Sequence, residues 1–352
     1  MLNIANHFYR RYFSDPDAIV LLLFILAAIG LFWLFGAMLA PAFAGIVIAY
    51  LLDWFIVRLR NLKCPHGLAV FLVYSIFLSL VLFALLGPIP LLWEQLRNLV
   101  NELPRKLVQA QSLFNQLVIL YPDYFSTNQL QSLIESMRTN ATRLGQVIFS
   151  ASVASIPSLI QIVIYLVLVP LLVYFFLMDK NKLIRDFRRY LPTTNKPLQK
   201  IWVEVRQQIG NYIRGKIWEI VIVWVVTYIV FLILGFKYAM LISALIGLSV
   251  IIPYIGAVLV TIPVVILALL QWGFEAHTAY FLIAYALIIT LDANVLVPIL
   301  FSGAVALHPV AIILAILIFG GLFGFWGIFF AIPLASLVKA IAKAWPITDS
   351  DY

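Results

Sequence analysis

Asp292, Asn294 and Pro298 stand in the apolar run Leu291-Asp292-Ala293-Asn294-Val295-Leu296-Val297-Pro298. An ionised carboxylate in a bilayer is costly unless it is hydrated, paired or protonated. Asn294 adds an amide two residues on. Pro298, four further, lacks an N–H and so opens the helix and frees a carbonyl. Together these groups could coordinate a cation, exchange a proton or bind a polar substrate. The plain alternative is a structural hydrogen bond to a neighbouring helix end.

Two sets of breaks flank that run. Pro253, Tyr254 and Gly256 interrupt an apolar stretch over 238–271, and Gly320, Gly321, Gly324 and Gly327 interrupt another over 309–342. A broken helix in lipid exposes amide N–H groups and carbonyls as ligands. Small residues also allow tight helix packing with no site present, so the two breaks weigh more as a pair than any one glycine. Pro263 and Pro333 are expected kinks. Upstream, Gly210-Asn211-Tyr212-Ile213-Arg214-Gly215-Lys216 supplies gate candidates in Asn211, Arg214 and Lys216, or else a hinged entry into the membrane. Glu219 follows Lys216 by three residues, and its plain reading is an interfacial ion pair with Lys216 or Arg214; a proton relay is the alternative. His308 precedes Pro309 and has no evident partner in the pattern.

The elements that must position these residues follow from composition. The chain has 352 residues, 64% hydrophobic and 11% charged, and its mean hydropathy is +1.07. A globular protein has too little interior for so much apolar surface. Apolar runs of spanning length recur from end to end, so the chain reads as an all-α polytopic membrane protein; barrel-type alternation is absent. The net charge of +8 does not point to nucleic acid, because 17 of the 23 Lys and Arg fall in segments 1–17, 58–66, 179–216 and 339–352, beside apolar runs. Read as cytoplasmic, those segments satisfy the positive-inside rule and place both termini inside. Segment 179–216 holds ten of them; topogenesis is its first reading, and anionic-lipid binding the second. Cys64 is the single cysteine, which leaves no intrachain disulfide or thiolate metal site. His7, His66, His277 and His308 show no ligand spacing, and no phosphate-binding glycine loop is present, so neither metal nor cofactor is expected. Arg10 and Arg11 precede a first run long enough to span, with no cleavage motif behind it.

About eight membrane segments are expected. The first runs over 18–35 and turns at 36–41; the second covers 42–57 and the third 68–90. An amphipathic helical insert over 91–151 then lies outside the cytoplasm, with Leu92, Leu96, Leu99, Val100 and Leu103 on one face. It is either a partner-binding or oligomerising element, or a set of helices lying on the membrane; a homo-oligomer is expected. The fourth span, 158–178, is kinked at Pro170. A helix around 198–214 approaches the fifth span, 217–234. If straight, 238–271 would be about 50 Å long against a hydrocarbon core of about 30 Å. The sixth and eighth segments, 238–271 and 309–342, therefore read as broken or re-entrant hairpins, inserted from opposite faces around the span at 278–300; single crossings are the alternative. In domain terms the chain divides at 1–90, 91–151, 152–216 and 217–352, the last being the transport core.

Asn211 through Lys216, Ile252-Pro253-Tyr254-Ile255-Gly256, Asp292 through Pro298, Leu307-His308-Pro309 and Gly320 through Pro333 also resemble the signature of the autoinducer-2 exporter family of permeases, over essentially the whole chain. The resemblance implies a multi-pass inner-membrane protein, usually drawn with eight spans. It implies efflux of the signal autoinducer-2 or, in some relatives, sodium-proton antiport. The family supplies no agreed catalytic residues, and substrate does not transfer with a fold. The expected function is thus a secondary permease exporting a small polar solute or ion, coupled to protons or sodium, and not an enzyme. Its competitor is a membrane scaffold or regulator acting through the insert.

Overall fold

The computed structural model describes residues 16–120, 139, 156–190, 196–301 and 307–344, and among these every regular element is helical. In chain order the helices are α1 (Pro16–Asn61), α2 (His66–Leu86), α3 (Pro88–Leu120), α4 (Ile156–Met178), α5 (Lys180–Tyr190) and α6 (Lys196–Ile233). There follow α7 (Ala239–Ser249), α8 (Ile255–Trp272), α9 (Ala276–Leu291), a π-helical turn (Asp292–Leu296), α10 (Val297–Leu300), α11 (Pro309–Phe329) and α12 (Ala331–Ala344). Lipid explains both the helices and their surfaces. In hydrocarbon each backbone N–H must find its partner within its own segment, and Leu86, Met38 and Ile233 stand 81%, 78% and 77% exposed. Six helices among the described residues are long and apolar enough to cross a membrane, or seven with the bent pair 162–178 and 180–186 counted as one span.

Three boundaries differ from expectation. The turn at 36–41 does not form: α1 runs unbroken for 46 residues through Pro41. A helical proline forfeits one hydrogen bond, and continuing the helix leaves fewer backbone groups unpaired in lipid than a turn would. This removes the turn that would bring 58–66 back to the side of 1–17, on which the expectation of a cytoplasmic N-terminus rests. The expected end of the third span at 87–90 is no stop either. Gly87 N–H donates to the Phe83 carbonyl and Leu91 N–H to that of Gly87, so α2 feeds directly into α3 and the first insert helix begins as a continuation of the span. The approach helix and fifth span are likewise one helix, α6, of 38 residues. The insert beyond residue 120 lies outside the described residues apart from Thr139.

The chain forms two compact units. The first comprises 1–76, 165–217 and 299–352. Here α1 packs on α4, with Gly45 close enough that a Cβ would stand 3.1 Å from Leu172 Cβ. Tyr74 meets Tyr174 edge-on at 5.3 Å. Where α4 ends, Lys180 Nζ donates to Asp53 Oδ2 at 2.6 Å, and His66 Nε2 contacts the Met178 carbonyl at 3.4 Å.

The second unit comprises 77–164 and 218–298. Its core gathers Phe231, Phe236, Tyr238, Ile242, Ile246, Val264, Phe281 and Tyr285 from α6 to α9. Phe281 is the hub, with ring centroids 4.6 Å from Phe231, 4.7 Å from Phe236 and 5.2 Å from Trp272. Such aromatic pairs contribute about 0.5–1.5 kcal/mol each beyond burial. They surround the turn that ends α6, where Gly235 takes φ +70°, a conformation L side chains resist.

Candidate functional site

The break in 238–271 is a reversal. Straight helix would carry Gly256 about 10 Å along from Ser249, yet a Cβ on Gly256 would lie 1.8 Å from the Ser249 carbonyl oxygen. The chain between them is a strained tip. Tyr254 has φ 64° and ψ −48°, and Ile255 N–H donates to the Pro253 carbonyl at 2.7 Å, the three-residue γ-turn that L residues rarely adopt. Pro253, Tyr254 and Gly256 thus come together: one starts the turn, one bears the strain and one lets the arms touch. The Tyr254 side chain is 58% exposed.

The 309–342 break reverses the chain in the same way with different residues. Gly324 takes φ 59° and ψ −137° inside α11, a region open essentially to glycine alone. Three residues on, a Cβ at Gly327 would meet the Phe319 carbonyl oxygen at 1.8 Å, and one at Gly320 would meet Ile328 Cγ1 at 2.9 Å. Gly321 has nothing within 4 Å and takes no part in the close approach. Aromatic rings stack along each arm and not across the bend: Phe319 and Phe323 are 6.4 Å apart before it, Trp326 and Phe330 6.1 Å after it. Both segments therefore double back, as their length suggested.

Asp292, Asn294 and Pro298 sit at a third irregularity. The helix widens to π geometry over Asp292–Leu296, and Val297 N–H donates to the Asp292 carbonyl five residues back. Pro298 accounts for this locally, since a proline ring crowds the carbonyl four residues earlier, here that of Asn294. The Asn294 amide donates to the Thr290 carbonyl at 2.9 Å, occupying one donor. Asp292 is half-buried and Asn294 exposed. Single π turns in helices recur at functional sites. One bond couples the supporting helix to the first reversal: the hydroxyls of Thr261 on α8 and Tyr285 on α9 lie 2.8 Å apart.

The gate candidates occupy α6. Arg214 donates to the Gly210 carbonyl at 3.2 Å and to Asn211 Oδ1 at 2.9 Å, with its guanidinium 5.6 Å from the Tyr50 ring centroid. Gly210 is the seat of Tyr50, whose hydroxyl would stand 1.8 Å from an added Cβ. Gly215 admits the Leu300 carbonyl and the Phe301 ring. Lys216, 3% exposed, sets its ammonium 5.2 Å from the centre of the Phe301 ring. The gate candidates thus fall into two groups on different faces of α6: Asn211 and Arg214 beside Tyr50, and Lys216 beside Tyr212 and Phe301. Glu219 is equally buried, at 3% exposed. His308 caps α11 by accepting from Val310 N–H at 3.3 Å, which gives it a structural part.

One polar cluster had no forecast. On α3, Glu102 accepts from Tyr238 O–H at 2.7 Å and pairs with Lys237, while Gln95 accepts from Leu241 N–H at 2.9 Å. Leu241 is the third residue of α7, whose own N-cap Tyr238 makes no side-chain cap bond. The insert helix therefore caps, from outside, an N-terminus with unpaired N–H groups, and Glu102 adds a negative charge where the helix dipole favours one. Lys106 is buried with its ammonium 5.7 Å from the Tyr238 ring. Burial pulls its pKa below the ordinary lysine range, and Glu102 opposes that shift. Burial first, then the bond to Glu102, pushes the Tyr238 phenol well above its ordinary value, so it stays a donor throughout the physiological range. Gln271 completes the collar, accepting from Lys237 N–H at 3.0 Å and donating to the Gly235 carbonyl at 2.8 Å. The available signal was Lys237, the single basic residue between Lys216 and Lys339.

Apolar helices of spanning length, two doubled-back segments and a carboxylate on a distorted span define a multi-pass membrane protein of the transport class. The family model described as AI-2E family transporter matches residues 21–347, and the chain belongs to that family. It is similar to the permease PerM of Escherichia coli K12, with 43% identity over 346 residues and 98% of each chain covered. It is similar also to the transport protein YueF of Bacillus subtilis 168, at 27% identity with 81% of this chain and 78% of that one covered. A transport protein of Thermotoga maritima is 24% identical, over 94% of this chain and 95% of its own.

Proposed function

We propose that the protein is an inner-membrane permease, a secondary transporter that exports a small polar solute or ion and is driven by a proton or sodium gradient. The π turn at Asp292 carries the reading: a carboxylate and the amide of exposed Asn294 on a distorted intramembrane helix supply hard oxygen ligands where lipid offers none. The strained tip at Tyr254, tied to the same helix bundle through Thr261 and Tyr285, is the element that changes conformation as solute passes. Asn211, Arg214 and Lys216 on α6, with Glu219 further along the same helix, gate the cytoplasmic side. Solute enters there because the basic residues of 58–63 and 180–190 face the cytoplasm. The relatives' names, permease and transport protein, favour this over a scaffold.

The test is flux in proteoliposomes under an imposed proton or sodium gradient. The solute is chosen by untargeted metabolite comparison of deletion and overexpression strains. Asp292→Asn abolishes gradient-coupled flux while expression and thermal stability stay at wild-type levels; unchanged flux sinks the assignment. Sodium-proton exchange with no organic solute would show as sodium-dependent internal acidification, also lost in that variant.

A further inference from the structure

The short helix α5 is not absorbed by a transport pathway, and its geometry is unusual. The segment 180–186 leaves the span 162–178 at 80°. A helix set so nearly perpendicular to a membrane-crossing one runs along the bilayer surface. Its sequence, Lys180-Asn181-Lys182-Leu183-Ile184-Arg185-Asp186-Phe187-Arg188-Arg189-Tyr190, holds five basic residues and one acidic. At 100° per residue Leu183 and Ile184 fall on one face, and Asn181, Lys182, Arg185 and Arg189 on the other. Leu183 and Ile184 are 43% and 37% exposed, so this apolar pair is not buried among the described residues. The bend is fixed: the Lys180–Asp53 ion pair at 2.6 Å and the His66 contact with the Met178 carbonyl pin it to the ends of α1 and α2. Arg58, Arg60 and Lys63, all exposed, join the same end of the first unit.

We infer that α5, with the basic turn at 58–63, is an anionic-lipid-binding collar: its apolar face enters the acyl boundary and its basic face holds phosphate headgroups of the cytoplasmic leaflet. Amphipathic basic helices bind in this way, through buried apolar area plus attraction to anionic lipid, and each surface Lys or Arg strengthens binding by about fivefold. A solvated charge run would need neither the bend nor the apolar face. Asp53 thus serves to aim the helix, since without it the Lys180 end is released.

The experiment uses the full chain with Cys64→Ser and a fluorescent label at either Leu183→Cys or Asn181→Cys, in phosphatidylcholine vesicles with and without phosphatidylglycerol. With phosphatidylglycerol present, the label at 183 becomes several-fold more quenchable by doxyl-labelled lipid and less by iodide, while the label at 181 stays open to iodide. The triple change Lys182→Gln, Arg185→Gln, Arg189→Gln raises the phosphatidylglycerol fraction needed, by about a hundredfold in binding strength if the three effects multiply, and so does added salt. These residues lie on the surface, so the variant elutes as wild type does; if it does not, the salt titration of the parent chain decides alone. Equal iodide access at both positions in either lipid overturns the inference. So does shielding at 183 from both quenchers, which would put a protein partner or second copy on that face.

Discussion

The two doubled-back segments solve one problem by opposite means. In 239–272 a proline and a strained tyrosine turn the chain, and polar bonds from other helices hold the result: Gln95 and Glu102 at the start of α7, Thr261 to Tyr285 along α8. In 309–344 glycine supplies both the unusual backbone, at Gly324, and the close approach of the two arms, at Gly320 and Gly327. A bend of the second kind adopts its geometry without strain, because Gly324 has no Cβ to object. The first is held under tension by outside partners. The difference assigns movement to the first segment and anchoring to the second.

The largest expected effect tests what they share. Gly256→Ala and Gly327→Ala each place a methyl against a backbone carbonyl that cannot swing aside, so each should lower stability by about 3 kcal/mol and remove flux, read as a fall in melting temperature in detergent. Gly321→Ala, facing open space, should be neutral or stabilising by about 1 kcal/mol; equal losses at 321 and 327 would mean that the reversal does not matter. Next, Tyr254→Gly relieves strain worth about 1–3 kcal/mol. It should raise the melting temperature yet slow transport, a split that anchoring alone would not produce. Thr261→Val and Gln95→Ala follow, at about 1 kcal/mol each, visible as faster amide exchange over 239–272 with no change over 309–344. Glu102→Gln is smallest. The Lys237 side chain is 50% exposed, and pairs so exposed contribute about 0–1 kcal/mol. A shift of amide exchange in both segments would erase the distinction between them.

What the residues announced, and what they hid, follows the range of the forces involved. Segment length against bilayer thickness is a one-dimensional quantity, so the reversals at 238–271 and 309–342 could be read from spacing and glycine content alone. Asp292 stood out as a candidate because lipid makes any carboxylate conspicuous, and Pro298 pointed to the distorted turn without specifying π geometry. Gly36 and Pro41 misled because the signs of a turn in water are weaker in hydrocarbon, where breaking a helix leaves N–H groups unanswered. The Gln95 and Glu102 cap was illegible for another reason. Its partners are 146 and 136 residues away in sequence, and no local pattern encodes a contact at that separation. Tyr50 and Phe301 were missed likewise, since only the glycines they pack on, Gly210 and Gly215, stood out.

The strain at Tyr254 also sets a scale for how the protein responds to what it carries. A conformer disfavoured by about 1–3 kcal/mol shifts an equilibrium by a factor of roughly five to 150, the range over which one bound ligand typically couples to a distant event. On the proposed reading, one ion or polar molecule held at Asp292 and Asn294 could therefore tip the Tyr254 turn from mostly one arrangement to mostly the other, and its departure could tip it back. A deeper strain would lock the turn and a shallower one would let it flicker without cargo.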